Sequence, residues 1–251
     1  GFSLSSLLGF VGIDNQGLSG LELEYDKYLT GKQGAIKYFS DAKGNKLNLS
    51  DIYVEPTPGM NINLTIDINI QKSIERELDN IIDMFKPDNA LAIVMDPNTG
   101  EILGMGSRPD YDPNNYKNYT QEVLSRNLPI WSSYEPGSTF KIVTMATAVE
   151  EKKVDLDKDT FYDTGSVKVD GSTLRCWKAG GHGHQTFMEV LQNSCNPGFV
   201  KIGQMLGKET LFSYLDKFGF GSKTGIDLNG EGKGIIFPLN KVGNVELATT
   251  A

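Results

Sequence analysis

Apolar and polar positions change period several times along the chain, and each change marks an element. Leu21 to Leu29 places Leu21, Tyr25, Tyr28 and Leu29 on one helical face, and Gly31 stands where that helix would stop. Gly12 to Gly20 reads as a loop, and Ala35 to Asp41 and Ile52 to Val54 read as strand pieces. After Pro58-Gly59 the pattern sharpens. Asn61 to Ile66 alternates as a short strand, and Asp67 stands at a capping position. Ile70, Ile74, Leu78, Ile81 and Ile82 then recur at helical spacing up to about Phe85, and Pro87 ends the run. Ala90 to Met95 and Glu101 to Gly106 form two short apolar runs around Asp96-Pro97-Asn98-Thr99-Gly100, which predicts a hairpin. Ser107 to Asn118, rich in Tyr, Pro, Asn and Asp, predicts a loop.

Further on, Pro136-Gly137 interrupts the backbone. Phe140, Ile142, Val143, Met145, Ala146, Ala148 and Val149 then predict a helix. Thr164 to Trp177 reads as a second hairpin turning at Asp170-Gly171. Helices are predicted over Gln185–Asn193, Gly198–Leu206 and Thr210–Phe218. Gly219 to Lys233 is glycine-rich, and Val242 to Ala251 is too short to assign. Strands followed by a helical block predict an α+β fold, an antiparallel sheet flanked by helices. Residues 1–58 are too sparse in core positions to stand alone and read as a supporting module, with the main domain over 59–251.

Composition narrows the partners more than the fold. A net charge of -8 argues against nucleic acid as the main partner. No run approaches the roughly 20 apolar residues that cross a bilayer. The apolar opening from Phe2 to Val11 is shorter than that and lacks the basic start of a signal peptide, so any membrane anchor lies outside these residues.

The helix after Pro136-Gly137 carries candidate chemistry. Ser138 falls at its start and Lys141 one turn on, so a lysine nitrogen stands near a hydroxyl. The free N–H groups and positive dipole of a helix start favour an ionised nucleophile. Ser-x-x-Lys of this kind marks serine acyl-transfer sites. Ser194-Cys195-Asn196, after a predicted helix, supplies a Ser-x-Asn partner. Ser194 can relay a proton between Lys141 and a leaving amine, and the Asn196 amide can donate to a substrate carbonyl. The structural alternatives are a capping serine with a solvated lysine, and a capping serine with a turn asparagine.

The wider context resembles a known family. Gly20-Leu21-Glu22 to Leu29-Thr30-Gly31, Leu64-Thr65-Ile66-Asp67 with Gln71, and Asp96-Pro97 with Thr99-Gly100-Glu101 are similar to landmarks of class B penicillin-binding proteins. So are Tyr134 to Lys141, Ser194 to Asn196, and Gly219-Phe220-Gly221 to Asp227. These are the cell-wall D,D-transpeptidases, and the sporulation-type enzymes of endospore-forming bacteria look most similar. The resemblance implies a transpeptidase fold of the penicillin-binding and serine β-lactamase kind over 59–251. It also implies the end of a pedestal, dimerisation-like module over 1–58. Ser138 would be the acylated nucleophile, Lys141 its base, Ser194 the relay and Asn196 the orienting amide. Substrates would be peptidoglycan stem peptides ending in D-Ala-D-Ala, and β-lactams would acylate Ser138 as mimics. No cofactor is needed for that chemistry. A cell-wall glycosyltransferase partner and a place on the extracytoplasmic face of the membrane also follow from the resemblance. The other readings of the same pocket are a β-lactam sensor or scaffold with little turnover, a D,D-carboxypeptidase and a β-lactamase.

The family's third signature is Lys-Thr-Gly on an edge strand beside the nucleophile helix. Lys223-Thr224-Gly225 spells it, but Ile226 to Gly232 that follows reads as a turn, so the catalytic element is expected beyond Ala251. One further cluster departs from the family pattern. Cys176, His182, His184 and Cys195 are all the cysteines and histidines of the chain. A tight turn at Asp170-Gly171 would also bring Asp163 near Cys176. Asp163 or His184 could therefore join Cys176, His182 and Cys195 around a structural Zn²⁺. The alternatives are a Cys176–Cys195 disulfide and two buried free thiols.

Overall fold

The computed structural model describes residues 4–37, 39–45 and 52–251. Phe2 of the apolar opening and Tyr38 of the strand expected over 35–41 lie outside the described residues. The chain divides into two compact units. One comprises Gly1–Ser132 with Gly225–Gly232, the other Ser133–Thr224 with Lys233–Ala251.

The first unit begins with three short helices, α1 (Ser5–Leu8), α2 (Gly20–Glu24) and α3 (Asp26–Leu29). The single helix expected over 21–29 is broken at Tyr25, whose φ of -105° leaves the helical region. The break frees the Asp26 carboxylate to accept the Gly17 N–H at 2.7 Å. Strands β1 (Ala35–Lys37) and β2 (Ile52–Val54) pair antiparallel. The expected strand over 61–66 does not join a ladder. It is tethered to the next hairpin by Thr65 Oγ1 donating to the Ile102 carbonyl at 2.6 Å and Asp67 N–H donating to Leu103 at 2.9 Å.

Helix α4 (Ile68–Phe85) starts where the Asp67 carboxylate accepts the N–H groups of Asn69 and Ile70. It packs on a hairpin of β3 (Ala90–Met95) and β4 (Ile102–Arg108). Gly104 and Gly106 let the helix approach. A Cβ on Gly104 would meet Ile74 Cδ1 at 2.6 Å. Between them, the fully buried Gln71 accepts the Met105 N–H and donates to the Met105 carbonyl, both at 2.8 Å. The hairpin covers the Gln71–Ile74–Leu78 line only, so Ile81, expected inside, is exposed. Arg108 ends β4 between Glu75, Asp79 and Asp110. The loop expected from Ser107 begins later and includes a 3-10 turn over Pro113–Asn118. Helices α5 (Gln121–Ser125) and α6 (Leu128–Trp131) follow. Leu7, Leu21, Met105 and Leu228 close this unit's core.

The second unit carries the motif residues. A 3-10 turn over Gly137–Phe140 runs into α7 (Lys141–Glu150). Strands β5 (Thr160–Asp163) and β6 (Ser166–Val169) precede β7 (Ser172–Arg175) and β8 (Gly183–Thr186), with β5 paired to β8 and β6 to β7. The β6–β7 turn has φ of 43° at Asp170 and 83° at Gly171, the left-handed pair that a two-residue hairpin needs. Helix α8 (Phe187–Gln192) starts two residues later than expected, because Thr186 and Glu189 form a capping box and Gln185 stays in β8. Helix α9 (Asn196–Leu206) starts two residues earlier than expected, and Pro197 is accommodated in its first turn, where no N–H is required. Helix α10 (Lys208–Lys217) and α11 (Asn244–Thr250) complete the unit, the latter in the stretch that the pattern left unassigned. Helix α9 packs on α7, α10 and α11, and Phe199, Ile202, Met145 and Val190 lie in the core they share.

The α+β class holds, and the strands form four two-stranded antiparallel ladders among the described residues. No described helix is long and apolar enough to cross a membrane. Lys223-Thr224-Gly225 lies in irregular chain, outside any strand.

Candidate active site

Ser138 sits inside the 3-10 turn rather than in the α-helix itself, and Gly137 makes the turn possible with φ of 58°. Its side chain is exposed. Lys141 is the first residue of α7 and is buried. The expected approach of Lys141 to Ser138 is not the contact observed. Lys141 Nζ donates to Asn196 Oδ1 at 2.6 Å, to the Ser194 carbonyl at 2.9 Å and to Ser194 Oγ at 3.0 Å. Those three bonds use the full donor capacity of an ammonium. The nitrogen also lies 5.2 Å from the centre of the Phe199 ring. Burial holds the Lys141 pKa below the ordinary lysine value, against an opposing contribution from the Cys195 and Cys176 thiols.

Ser194 and Asn196 are presented by the junction between α8 and α9. Ser194 has φ of 50°, a left-handed conformation that a non-glycine residue adopts at a cost of about 1–2 kcal/mol. The Ser194 N–H bonds to Leu191 and the Cys195 N–H to Val190, so the end of α8 holds the strained residue. Asn196 Nδ2 donates to the Arg175 carbonyl at 2.9 Å, which ties the motif to the end of β7. Pattern reading missed this tie. A main-chain carbonyl has no signature in a sequence.

The second cluster lies directly behind. Oxygen, nitrogen and sulfur donor atoms of Asp163, Cys176, His182 and Cys195 all lie within 4.8 Å of one another. His182 Nδ1 is 3.2 Å from Cys176 Sγ and 3.1 Å from Asp163 Oδ2, and Cys195 Sγ is 3.3 Å from the same oxygen. A tetrahedral Zn²⁺ with bonds of about 2.0–2.3 Å needs ligand–ligand edges of roughly 3.3–3.8 Å, so the donor set is of the right kind and the widest pairs would draw in by up to about 1 Å to hold the ion. Both cysteines are free and buried. Burial pushes the Cys176 thiol up and the Cys195 thiol up to about 11. Burial would raise Asp163 too, but bonds from the Gly165 N–H, Cys176 and the His182 N–H hold its carboxyl well below the usual range.

Of the two candidates for the fourth ligand, the structure brings Asp163 into the group and leaves His184 out. The reason is strand alternation. Asp163 pairs with Gly183 across the ladder and Tyr162 with His184, so His184 points to the opposite, exposed face beside Tyr162.

With this geometry in place, the chain can be set beside known proteins. Residues 90–251 match the penicillin binding protein transpeptidase domain, and residues 5–64 match the penicillin-binding protein dimerisation domain. The chain belongs to the penicillin-binding protein transpeptidase family, and the pairing of the two domains agrees with the class B resemblance read from its motifs. It is 58% identical to Stage V sporulation protein D of Bacillus subtilis (strain 168), over 100% of this chain and 39% of that protein. It is 31% identical to Peptidoglycan D,D-transpeptidase FtsI of Escherichia coli (strain K12), over 97% of this chain and 40% of that protein. The chain thus spans about two-fifths of the length of these relatives. A peptidoglycan synthetase from Bifidobacterium adolescentis superposes with a TM-score of 0.85 at 26% identity, over 98% of this chain and 44% of that one. Penicillin binding protein 3 of Mycobacterium, complexed with ampicillin, superposes with a TM-score of 0.83 at 27% identity, over 97% and 50%.

Proposed function

We propose that the protein is a serine D,D-transpeptidase that cross-links peptidoglycan stem peptides through an acyl-enzyme on Ser138. The observation that carries the reading is the bonding of Lys141 to both Ser194 Oγ and Asn196 Oδ1, which joins the two motifs at one nitrogen. A neutral Lys141 amine has two N–H donors and a lone pair. It can keep two of its bonds and turn the lone pair toward Ser138. In acylation, the Ser138 hydroxyl oxygen attacks the carbonyl of the penultimate D-Ala. The hydroxyl proton passes to Lys141 and, through Ser194, to the departing D-Ala amine as the peptide bond breaks. An amine of a second stem peptide then attacks the ester, forming the cross-link and returning the proton to Ser138. The Asn196 amide orients the donor peptide, and a β-lactam enters the same step by ring opening.

The same proposal assigns residues 1–58 to the pedestal module and 59–251 to the transpeptidase domain, which the two family matches support in outline. Family membership also supports the extracytoplasmic face of the membrane as its location and a glycosyltransferase as its partner. Asp163, Cys176, His182 and Cys195 are proposed to hold a structural Zn²⁺. When bound, the ion would cross-link the β5, β7 and β8 region to the start of α9; it has no part in acyl transfer.

A fluorescent penicillin tests the reading. The full-length protein is expected to be labelled and Ser138→Ala is not. Absence of labelling in the wild type would reject both the transpeptidase and the sensor. Transfer of a stem-peptide thioester to an amine acceptor then separates a transpeptidase from a sensor, and its hydrolysis alone would indicate a carboxypeptidase.

A further inference from the structure

Two exposed side chains bracket the Ser194–Asn196 motif, and the reaction as written uses neither. Arg175 ends β7, and its own carbonyl accepts the Asn196 side-chain N–H at 2.9 Å. Arg175 is exposed, and no hydrogen bond or ion pair holds its guanidinium among the described residues. Trp177, two residues on, is 69% exposed yet anchored. Its indole N–H donates to the Asn193 carbonyl at 2.7 Å, and its ring meets His182 edge-on at 5.2 Å. Asn193 is held in turn by its side chain donating to Gln185 Oε1 at 3.0 Å. Between the two, Cys176 is buried in the cluster behind the motif, so exposure alternates and Arg175 and Trp177 both face outward.

The Trp177 ring is exposed yet held in one orientation by its indole N–H bond and by the His182 edge, so it offers a fixed flat face beside the motif. An arginine without a carboxylate partner, on a chain of net charge -8, is a local positive spot in a negative field. The Trp177 side chain is tied to the carbonyl of the residue before Ser194, and the Arg175 main-chain carbonyl is tied to the Asn196 side chain. Arg175 and Trp177 are thus the exposed side chains on the segment that is hydrogen-bonded to both sides of the Ser194–Asn196 motif.

We infer that Arg175 and Trp177 form a specificity subsite for a carboxylate-bearing residue of the acyl-donor peptide, upstream of the bond that is broken. The guanidinium binds the carboxylate, and the indole face supports the aliphatic part of the same residue. This rests on the reading that Ser138 is acylated by a peptide donor. Arg175 and Trp177 select the donor and take no part in proton transfer.

The test uses the full-length protein and two donor thioesters that differ only in having a free carboxylate or a carboxamide on that upstream residue. The wild type is expected to favour the carboxylate in kcat/KM. Arg175→Ala is expected to lower the carboxylate-to-carboxamide ratio about tenfold, chiefly through KM, as for loss of one charge-assisted hydrogen bond. Arg175→Glu is expected to invert the preference, and Arg175→Lys to retain part of it. A ratio unmoved in Arg175→Ala and Arg175→Glu overturns the subsite. Should neither variant fold by thermal unfolding, the wild-type ratio is read against salt. It is expected to shrink as ionic strength rises from about 0.05 to 0.5 M, and a salt-independent ratio overturns the inference. A wild type that takes up neither penicillin nor thioester would instead refute the reading of Ser138 itself.

Discussion

Lys141 Nζ lies 2.6 Å from Asn196 Oδ1, and this contact joins the helix of the first motif to the helix of the second. The same asparagine reaches Arg175 with its other end, so one amide is fixed from two sides. An aspartate at this position would put a carboxylate against the lysine in place of a neutral oxygen. Asn196→Asp is expected to raise the Lys141 pKa by about one to three units and move the pH profile of penicillin acylation upward by the same amount. Acylation rates across a pH series check it. A profile that loses amplitude without shifting would show that the contact does not tune the lysine.

The wild-type profile has a sign that follows from burial. The Lys141 pKa is depressed, and the base form is the neutral amine. Acylation is therefore expected to be slow at low pH and to rise as Lys141 deprotonates, with its midpoint below the unperturbed lysine value. Lys141→Ala is expected to reduce acylation by at least about a hundredfold and abolish the rise.

Metal content tests the cluster behind the motif. Protein purified without added zinc is expected to carry about one equivalent, and Cys195→Ser or Asp163→Asn to lose most of it. Less than about 0.2 equivalents in the wild type would sink the assignment. Because burial keeps both thiols protonated without metal, binding displaces up to two protons. Affinity should then fall as pH falls, by as much as about a hundredfold per unit.

Gln71 is expected to carry stability out of proportion to its polarity. Gln71→Leu leaves the buried N–H and carbonyl of Met105 without partners. A loss of about 2–4 kcal/mol, read from denaturant midpoints, is the expected result. Gln71→Glu is expected to be destabilising too, because the Gln71 amide also donates to Glu75 and a carboxylate there would face Glu75 and the Met105 carbonyl with nothing to donate.

Gly198 sits where α9 meets α8, and a Cβ there would meet Val190 Cγ1 at 2.5 Å. Gly198→Ala is expected to cost about 1–3 kcal/mol and to slow penicillin acylation by displacing the start of α9, where Asn196 lies. Adding Val190→Ala should restore part of both. If stability falls while acylation does not, the start of α9 tolerates movement.

Local chemistry made several parts of the protein legible without any fold. Asp67 caps, and Ile68 to Phe85 repeat at helical spacing, so α4 was readable to the residue. Asp170-Gly171 supplies the left-handed pair of a hairpin turn, so β6 and β7 were readable, and with them the nearness of Asp163 to Cys176. These are short-range preferences that the chain carries wherever it is. The choice between Asp163 and His184 was not readable, because it depends on the pairing of β5 with β8, which sets the face each side chain takes. The short helix α11 and the exposure of Ile81 depend likewise on what packs alongside. At Ser138 and Lys141 the division is plainest. The motif spacings together with the family resemblance marked Ser138, Lys141, Ser194 and Asn196, with Lys141 expected to reach Ser138. Only the tertiary structure decided that Lys141 is buried and commits its N–H groups to Ser194 and Asn196, because burial and hydrogen-bond partners are properties of packed elements rather than of neighbours in the chain.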